Sequence, residues 1–377
     1  MRVLHVIDSG GLYGAETMIL SLMSEQARLG LQPTLASIGA TGEPEKPIER
    51  EARQRGLSVT AFRMRPGPNL PGAARILSFA RKNGTSLLHC HGYKADILFG
   101  FVPRWLRPFP LVGTVHGWTW SSGWARMRLY TILDGWSLRR FDAVVLVDAA
   151  MSRHRCIRAL GRAAVHVVPN GIPRRDQVGG MAPPDEDVVR FCRESFVVGG
   201  IGRLSREKGF DVLLRAIAAL APGMPDLRCL ILGEGRERGS LDTLTAEMGI
   251  RDRVFFAGYR EHARRLLPLL SVLAIPSRSE GLPILLLEAM REGIPIIAAR
   301  VGGMPAALDA GLGGMIFEPE DVDSLAGALL DIRRDPAAAR RRVEHARAAA
   351  EARFGVTAMV RSYAEIYESM LSRGGGS

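Results

Sequence analysis

Two glutamates eight positions apart are the residues of this 377-residue chain whose type and spacing best suit a ligand rich in hydroxyls. They stand in Ser279-Glu280-Gly281-Leu282-Pro283-Ile284-Leu285-Leu286-Leu287-Glu288, directly after the apolar run Val272-Leu273-Ala274-Ile275. The run reads as a buried strand, and Pro283, with no N–H to lose, suits the first position of the helix that follows. Such a helix aims its amides and the positive end of its dipole at the preceding loop, a ready place for a phosphate. Glu280 would lie in the loop beside the ligand and Glu288 slightly over one turn into the helix. Both ionised carboxylates accept hydrogen bonds without donating any, which matches the hydroxyls of a sugar and a ribose. Taken alone, the same spacing also fits a helix cap at Glu280 and a solvated Glu288.

Four further places hold residues whose types suggest chemistry. Asp8-Ser9-Gly10-Gly11-Leu12-Tyr13-Gly14-Ala15-Glu16 follows the first apolar run and precedes a helical pattern. Gly11 and Gly14 would let backbone amides approach a diphosphate, although a tight turn needs glycines as well. His116, in Gly113-Thr114-Val115-His116-Gly117-Trp118, sits just past an apolar run, where α/β sheets present ligands at their carboxyl ends. His89, Cys90 and His91 are potential metal ligands in a row, but three consecutive residues cannot close a tetrahedral site alone, and no metal is expected. Asp185-Glu186-Asp187 imitates a D-x-D metal motif within a stretch that reads as a linker, which argues against that role.

The elements that must position these groups follow one rhythm. Short apolar runs alternate with helix-length segments: Val3–Ile7, Pro33–Ile38, Leu87–His89, Leu111–Thr114, Ala143–Val147 and Val165–Val168, then Phe196–Ile201, Arg228–Leu232, Val254–Ala257, Val272–Ile275 and Ile296–Ala299. Strands separated by helices imply parallel β-α-β units and an α/β fold with two doubly wound, Rossmann-like domains facing across a cleft. The Gly-, Pro- and acid-rich stretch after Gln177 marks the boundary. The expected division is an N-terminal domain over 1–177, a linker over 178–190 and a C-terminal domain over 191–372, with the alternative that the last helix packs back on the first domain. With 47% hydrophobic residues the chain can fill two cores. Four scattered cysteines suggest neither a disulfide framework nor a structural zinc site, so a reducing cytoplasm fits best. No signal-peptide pattern opens the chain, and no apolar run is long enough to span a bilayer.

The motifs in order resemble glycosyltransferase family 4. Glu280 and Glu288 match its E-x7-E signature, Gly202-Arg203-Leu204-Ser205-Arg206-Glu207-Lys208-Gly209 its G-R-L-x-x-x-K-G element, and Leu232-Gly233-Glu234-Gly235 its G-x-G turn. Val254-Phe255-Phe256-Ala257-Gly258 resembles the strand that contacts the base, and Val167-Val168-Pro169-Asn170-Gly171-Ile172 the run before the interdomain linker. The loop from Gly10 to Glu16 is similar to the family's glycine-rich G-G-x-E loop, with Leu12 and Tyr13 interposed. The resemblance implies a GT-B fold, a nucleotide-sugar donor on the C-terminal domain, retention at the anomeric carbon and no metal cofactor. It assigns Arg203 and Lys208 to the donor diphosphate, Glu280 and His116 to the transferred sugar and Glu288 to the ribose. Gly202, Gly233, Gly258, Gly281 and Leu282 would complete the donor site. His91 and Lys94 would line the acceptor site. Fixed cations in a desolvated site stabilise charge building on a leaving diphosphate without a metal. One departure is Ala306, after Gly302-Gly303-Met304-Pro305, where relatives commonly carry an acidic residue.

Charge is uneven. Residues 1–175 hold 24 Lys and Arg against 11 Asp and Glu, whereas the rest hold 26 against 28. Within the basic half, Trp118, Trp120, Trp124, Tyr130, Trp136 and Phe141 interleave with Arg126, Arg128, Arg139 and Arg140. This mixture suits an anionic membrane surface, and equally an amphipathic helix packed on its own domain. The expected activity is hexose transfer to a glycan or lipid-linked acceptor in cell-surface polysaccharide synthesis, by a cytoplasmic protein peripheral to the inner face of the membrane. The alternatives are a sugar-nucleotide epimerase on the same fold and a silent nucleotide-sugar-binding scaffold. Nothing accompanies the charge that would read nucleic acid, and none is expected as a partner.

Overall fold

Thirteen parallel strands form two sheets in the computed structural model, which describes all residues except 66, 68, 117–124, 162–163, 173–184, 261–262 and 375–377, with backbone alone at 125–128 and 373–374. Two compact units divide the chain, one made of Met1–Arg174 with Gly355–Ser377 and the other of Arg175–Phe354.

In the first unit the strands are β1 (Arg2–Ile7), β2 (Gln32–Ala40), β3 (Ser58–Met64), β4 (Leu87–His91), β5 (Leu111–Val115), β6 (Ala143–Leu146) and β7 (Ala164–Val167), in the order β3-β2-β1-β4-β5-β6-β7. Leu87–His91, Leu111–Val115 and Ala143–Leu146 are buried along their whole length, as strands covered by helices on both faces must be. Strand order reverses between β1 and β4, so the loops after these strands open a crevice at their carboxyl ends. The segment after β2 brings Lys46, which precedes the helix Pro47–Gln54, to the loop after β1, where its Nζ donates to Asp8 and to the Ser9 carbonyl.

The second unit repeats the plan with β8 (Phe196–Ile201), β9 (Leu227–Leu232), β10 (Val254–Gly258), β11 (Val272–Ile275), β12 (Ile296–Ala299) and β13 (Met315–Phe317), in the order β10-β9-β8-β11-β12-β13. The reversal lies between β8 and β11, which pair through Val272 with Val198 and Leu273 with Gly199. Both sheets are therefore doubly wound and Rossmann-like.

The structure departs from the expected organisation in three places. The helix Glu186–Cys192 begins inside the stretch 178–190 read as linker, because Asp185 occupies its N-cap position and Glu186 and Asp187 its first turn, where acidic groups meet the helix dipole. Arg260 pairs with Asp185 at 2.6 Å and with Asp187 at 3.3 Å, which ties this helix to the second unit. The C-terminal helix Val356–Gly374, placed in the second domain with packing on the first as the alternative, belongs to the first unit. It buries Tyr363 and Tyr367 there completely. Pro283 is the N-cap of the helix Ile284–Glu292, not its first residue.

One feature of the first unit carries a stability prediction. Asp96, on the helix Tyr93–Gly100, and Asp134, on the helix Ala125–Leu138, are both buried and hydrogen-bonded to one another. Burial, and then the charge of Asp134, push the Asp96 carboxyl well above its ordinary range, so the pair holds a shared proton. The unfolded chain gives up that proton first. Stability therefore falls as pH rises above about 4, by up to ~1.4 kcal/mol per pH unit, until the folded pair itself titrates. Asp96→Asn keeps a donor toward Asp134 without needing the proton. Thermal melts should show a larger gain for the variant at pH 8 than at pH 5, and equal shifts at both would mean that no proton is shared.

Candidate functional site

In the second unit the loops after β8 and β11 meet at the point where strand order reverses. Lys208 comes from a short turn, Arg206–Lys208, after β8, and Glu280 from the loop after β11. Lys208 Nζ donates to Glu280 Oε1 at 2.5 Å, and Ser277 Oγ donates to the same oxygen at 2.8 Å. Both charged side chains remain partly accessible, with 24% and 13% exposure, so the pair faces an opening. Arg203, on the same loop as Lys208, is exposed.

A second guanidinium fastens the two loops. Arg278 reaches both carboxylate oxygens of Asp211 at 2.8 Å, donates to the Arg206 carbonyl at 2.7 Å and pairs with Glu320. Its backbone N–H donates to the Glu207 carbonyl at 2.8 Å. These partners stabilise the cation and raise its pKa. A bidentate clamp of this kind fixes direction as well as position. Neither Arg278 nor Ser277 emerges from the sequence reading, although both immediately precede the Glu280 motif.

Glu288 lies in the helix Ile284–Glu292, buried, with Arg264 Nη1 at 3.5 Å. Burial raises the Glu288 carboxyl above its ordinary range, and Arg264 opposes the shift. Gly281 and Leu282 are buried in the loop ahead of the helix. The Gly281 carbonyl accepts from the Gly303 amide at 2.8 Å, and Gly302, at φ +55°, lies so close that a Cβ there would stand 2.3 Å from the Glu280 carbonyl oxygen. Ala306 is exposed on the short helix that follows, and its carbonyl accepts from Arg353. The remaining glycines join the strand ends: the Gly202 amide donates to the Leu232 carbonyl, and the Gly233 amide to that of Gly258. Arg203, Lys208, Glu280, Glu288 and the glycines named here thus lie around the carboxyl end of this sheet, whereas Gly11, Gly14 and His116, also expected to meet the donor, lie in the first unit.

In the first unit, Asp8 follows β1 and receives Lys46 Nζ and Lys94 Nζ, each at 2.8 Å. Hydrogen bonds and charge from Lys46 and Lys94 outweigh burial and hold the Asp8 carboxyl below its ordinary range. Lys46 is buried and also donates to the carbonyls of Ser9 and Ile38, which anchors the glycine loop. Glu16, in the first turn of the helix Gly14–Arg28, accepts from Ser9 Oγ and from the Tyr13 amide and braces the loop from the other side. Gly11 is buried within it, and Gly14 opens the helix. His116 is half-buried at the end of β5. Lys94 is partly exposed, but His91 is buried with both ring nitrogens engaged, toward His5 at 3.0 Å and His116 at 3.2 Å. It offers no atom to an acceptor; burial and tight packing, invisible in a local motif, place it in a layer behind His116.

The aromatic and basic segment is described from its helix onward. Trp118, Trp120 and Trp124 lie outside the described residues, as do the side chains of Arg126 and Arg128. Leu129, Ile132 and Trp136 are exposed on the helix Ala125–Leu138, with Arg139 and Arg140 exposed just after it. Phe141 instead belongs to the core. Trp105, 80% exposed, sits in the turn Arg104–Leu106, which the buried Arg107 ties to the Arg140 carbonyl at 2.7 Å.

Comparison with known proteins gives the family of these two doubly wound units, the second of which carries an ion pair at its strand-order reversal. Residues 186–349 match the model described as glycosyl transferases group 1, and residues 13–175 that of glycosyltransferase family 4. The D-inositol 3-phosphate glycosyltransferase of Corynebacterium urealyticum is 33% identical over 355 residues, covering 85% of this chain and 82% of its own. The 2-deoxystreptamine glucosyltransferase of Streptomyces kanamyceticus is 27% identical over 355 residues, covering 85% and 90%. The crystal structure of HepE from Anabaena in complex with UDP-glucose superposes with a TM-score of 0.82 at 22% identity, over 98% of this chain and 100% of that one. The chain belongs to the group 1 glycosyltransferases and has the GT-B fold.

Proposed function

We propose that the protein transfers a hexose from a nucleotide sugar to a glycan or lipid-linked acceptor with retention at the anomeric carbon, and that it needs no metal. The observation that carries this reading is the Lys208–Glu280 pair at the strand-order reversal of the second sheet, with Arg203 on the same loop and Glu288 behind it. In this reading Arg203 and Lys208 neutralise the diphosphate, Glu280 positions the sugar and Glu288 accepts from ribose hydroxyls. The amides of Gly281 and Leu282 hold sugar or phosphate oxygens. The bond from the anomeric carbon to the diphosphate oxygen breaks as the acceptor hydroxyl attacks the same face. The acceptor proton passes to the departing phosphate oxygen, whose growing charge the two cations stabilise. His116 meets the donor sugar, and Lys94 serves the acceptor.

The test is a panel of UDP-, GDP- and ADP-sugars, measured for thermal stabilisation and for release of nucleoside diphosphate, with Glu280→Ala beside the wild type. One donor that stabilises the protein and is consumed by the wild type alone is the expected result. Absence of binding to every donor would refute the reading; binding without turnover, whatever acceptor is supplied, would favour the scaffold.

For the lipid-linked acceptor, support comes from the exposed Leu129, Ile132, Trp136, Arg139 and Arg140; no helix among the described residues is long and apolar enough to cross a membrane. Aromatic and cationic groups side by side suit an interface with anionic headgroups, each cation contributing about 1 kcal/mol. Arg139→Ala with Arg140→Ala should weaken binding to phosphatidylserine-containing vesicles roughly 20- to 30-fold. Unchanged partition in a sedimentation assay would remove the membrane from the reading.

A further inference from the structure

Gln26 lies on the helix Gly14–Arg28, outside every motif of the sequence, yet two buried imidazoles connect it to His116. Gln26 Oε1 stands 2.8 Å from His5 Nε2, His5 Nδ1 stands 3.0 Å from His91 Nε2, and His91 Nδ1 stands 3.2 Å from His116 Nε2. A second arm leaves the other end of the same amide. Gln26 Nε2 donates to the Tyr367 hydroxyl at 3.4 Å, that hydroxyl is 2.7 Å from His89 Nδ1, His89 Nε2 is 2.7 Å from Thr114 Oγ1, and Thr114 Oγ1 is 3.0 Å from the Tyr363 hydroxyl.

Burial keeps these rings neutral, holding His5 and His116 down to about 4 and His89 and His91 well below their ordinary value. A neutral imidazole has one N–H and one lone pair, so each hydrogen bond in the row fixes the next. The Gln26 oxygen only accepts; His5 therefore carries its proton on Nε2 and offers a lone pair at Nδ1. His91 must donate to it from Nε2 and offer a lone pair at Nδ1, and His116 must donate to that from its own Nε2. The Nδ1 of His116 is left as a lone pair with no hydrogen-bond partner among the described residues. The same amide orientation sets the second arm. With the Gln26 amino group donating to Tyr367, the tyrosine hydroxyl donates to His89, which donates to Thr114. Rotating the amide by half a turn would reverse every proton in both arms.

We propose that Gln26 is a positioning residue that acts through His5 and His91 to hold His116 in the Nε2–H tautomer, so that His116 accepts a hydrogen bond from a hydroxyl of the donor sugar through Nδ1. This rests on the reading that His116 meets that sugar. The device selects a donor whose hydroxyl at this position can give a proton. His5, His89 and His91 also offer ligand atoms within 4.8 Å of one another, the arrangement of a metal site. All six of their ring nitrogens are already paired, which favours the relay over an ion.

The full chain labelled with 15N-histidine decides the matter through two-bond proton–nitrogen correlation spectra, with resonances assigned by single histidine substitutions. The expected result is the Nε2–H form at His5, His91 and His116, turning to a mixture of tautomers at His116 in Gln26→Met. For that variant kcat/KM for the donor should fall about tenfold, the loss of one net hydrogen bond, and the acceptor KM should stay unchanged. A donor with fluorine in place of the accepted hydroxyl should be rejected by the wild type and discriminated less by Gln26→Met. An Nδ1–H form at His116 in the wild type, or one stoichiometric zinc ion released on denaturation, would overturn the relay. His116→Ala tests the contact with the sugar separately: unchanged turnover there refutes that contact, whatever the spectra say about the tautomers.

Discussion

Lys208→Ala is expected to lower kcat about 10²- to 10³-fold, the usual cost of removing one charge-stabilising group aimed at a leaving oxygen. Under the proposed function the substitution removes a cation from the diphosphate, and it also frees Glu280, which Lys208 holds at 2.5 Å. Because the two side chains act as a unit, their effects should not add. Glu280→Gln keeps the acceptor for Ser277 but loses the charge, and the double variant should be far less impaired than the product of the two single losses. Steady-state kinetics on the four proteins of this cycle give the answer. Activity of Lys208→Ala within about twofold of wild type, below what any loss of a charge-stabilising group predicts, would remove Lys208 from the transition state. Lys208→Arg should restore little, since a planar fork cannot replace a compact ammonium wedged between two loops.

The placement of Glu280 and Glu288 beside the loop after β8 was legible because these residues sit in short local patterns. A buried strand, a glycine-containing turn and a helix start specify where Glu280 and Glu288 go, and the parallel rhythm of strands specifies that the loops after β8 and β11 meet. What could not be read depends on partners distant in sequence. Gln26 and His5 are 21 residues apart, and His5 and His91 86, and nothing in either neighbourhood announces the other. The tail carrying Tyr363 and Tyr367 reads as an alanine- and arginine-rich helix without chemistry, yet it closes the second arm of that network. Arg278 falls in the same group, since its clamp on Asp211 and Glu320 spans 67 and 42 residues. Two of the four edge strands, β3 and β13, also escaped. β3 interleaves exposed, partly buried and buried residues, and β13 has three residues, so neither presents the continuous apolar run that marked the central strands.

Gly233→Ala is expected to damage the fold and the donor site together. Gly233 has φ +139°, a region that side chains avoid, and a Cβ there would stand 1.9 Å from the Gly202 carbonyl oxygen. Relief needs backbone movement, because neither neighbour has a side chain that can turn aside. The Gly233 amide is bonded to the Gly258 carbonyl at 2.8 Å and the Gly202 amide to Leu232 at 2.9 Å, so separating the two loops strains the ends of β8, β9 and β10 at once. A loss of about 3–5 kcal/mol follows, and a displacement near 1 Å in the loop that carries Arg203 and Lys208 would by itself cost about 10²-fold in turnover. Gly239→Ala supplies the contrast. This glycine lies in the helix Arg238–Glu247, and nothing stands within 4 Å of where its Cβ would be, so alanine there should stabilise by roughly 0.5–1 kcal/mol. Denaturant melts of both variants measure the difference, and a Gly233→Ala protein as stable as wild type would mean that the two loops part without cost and that their close packing is not what fixes the cations.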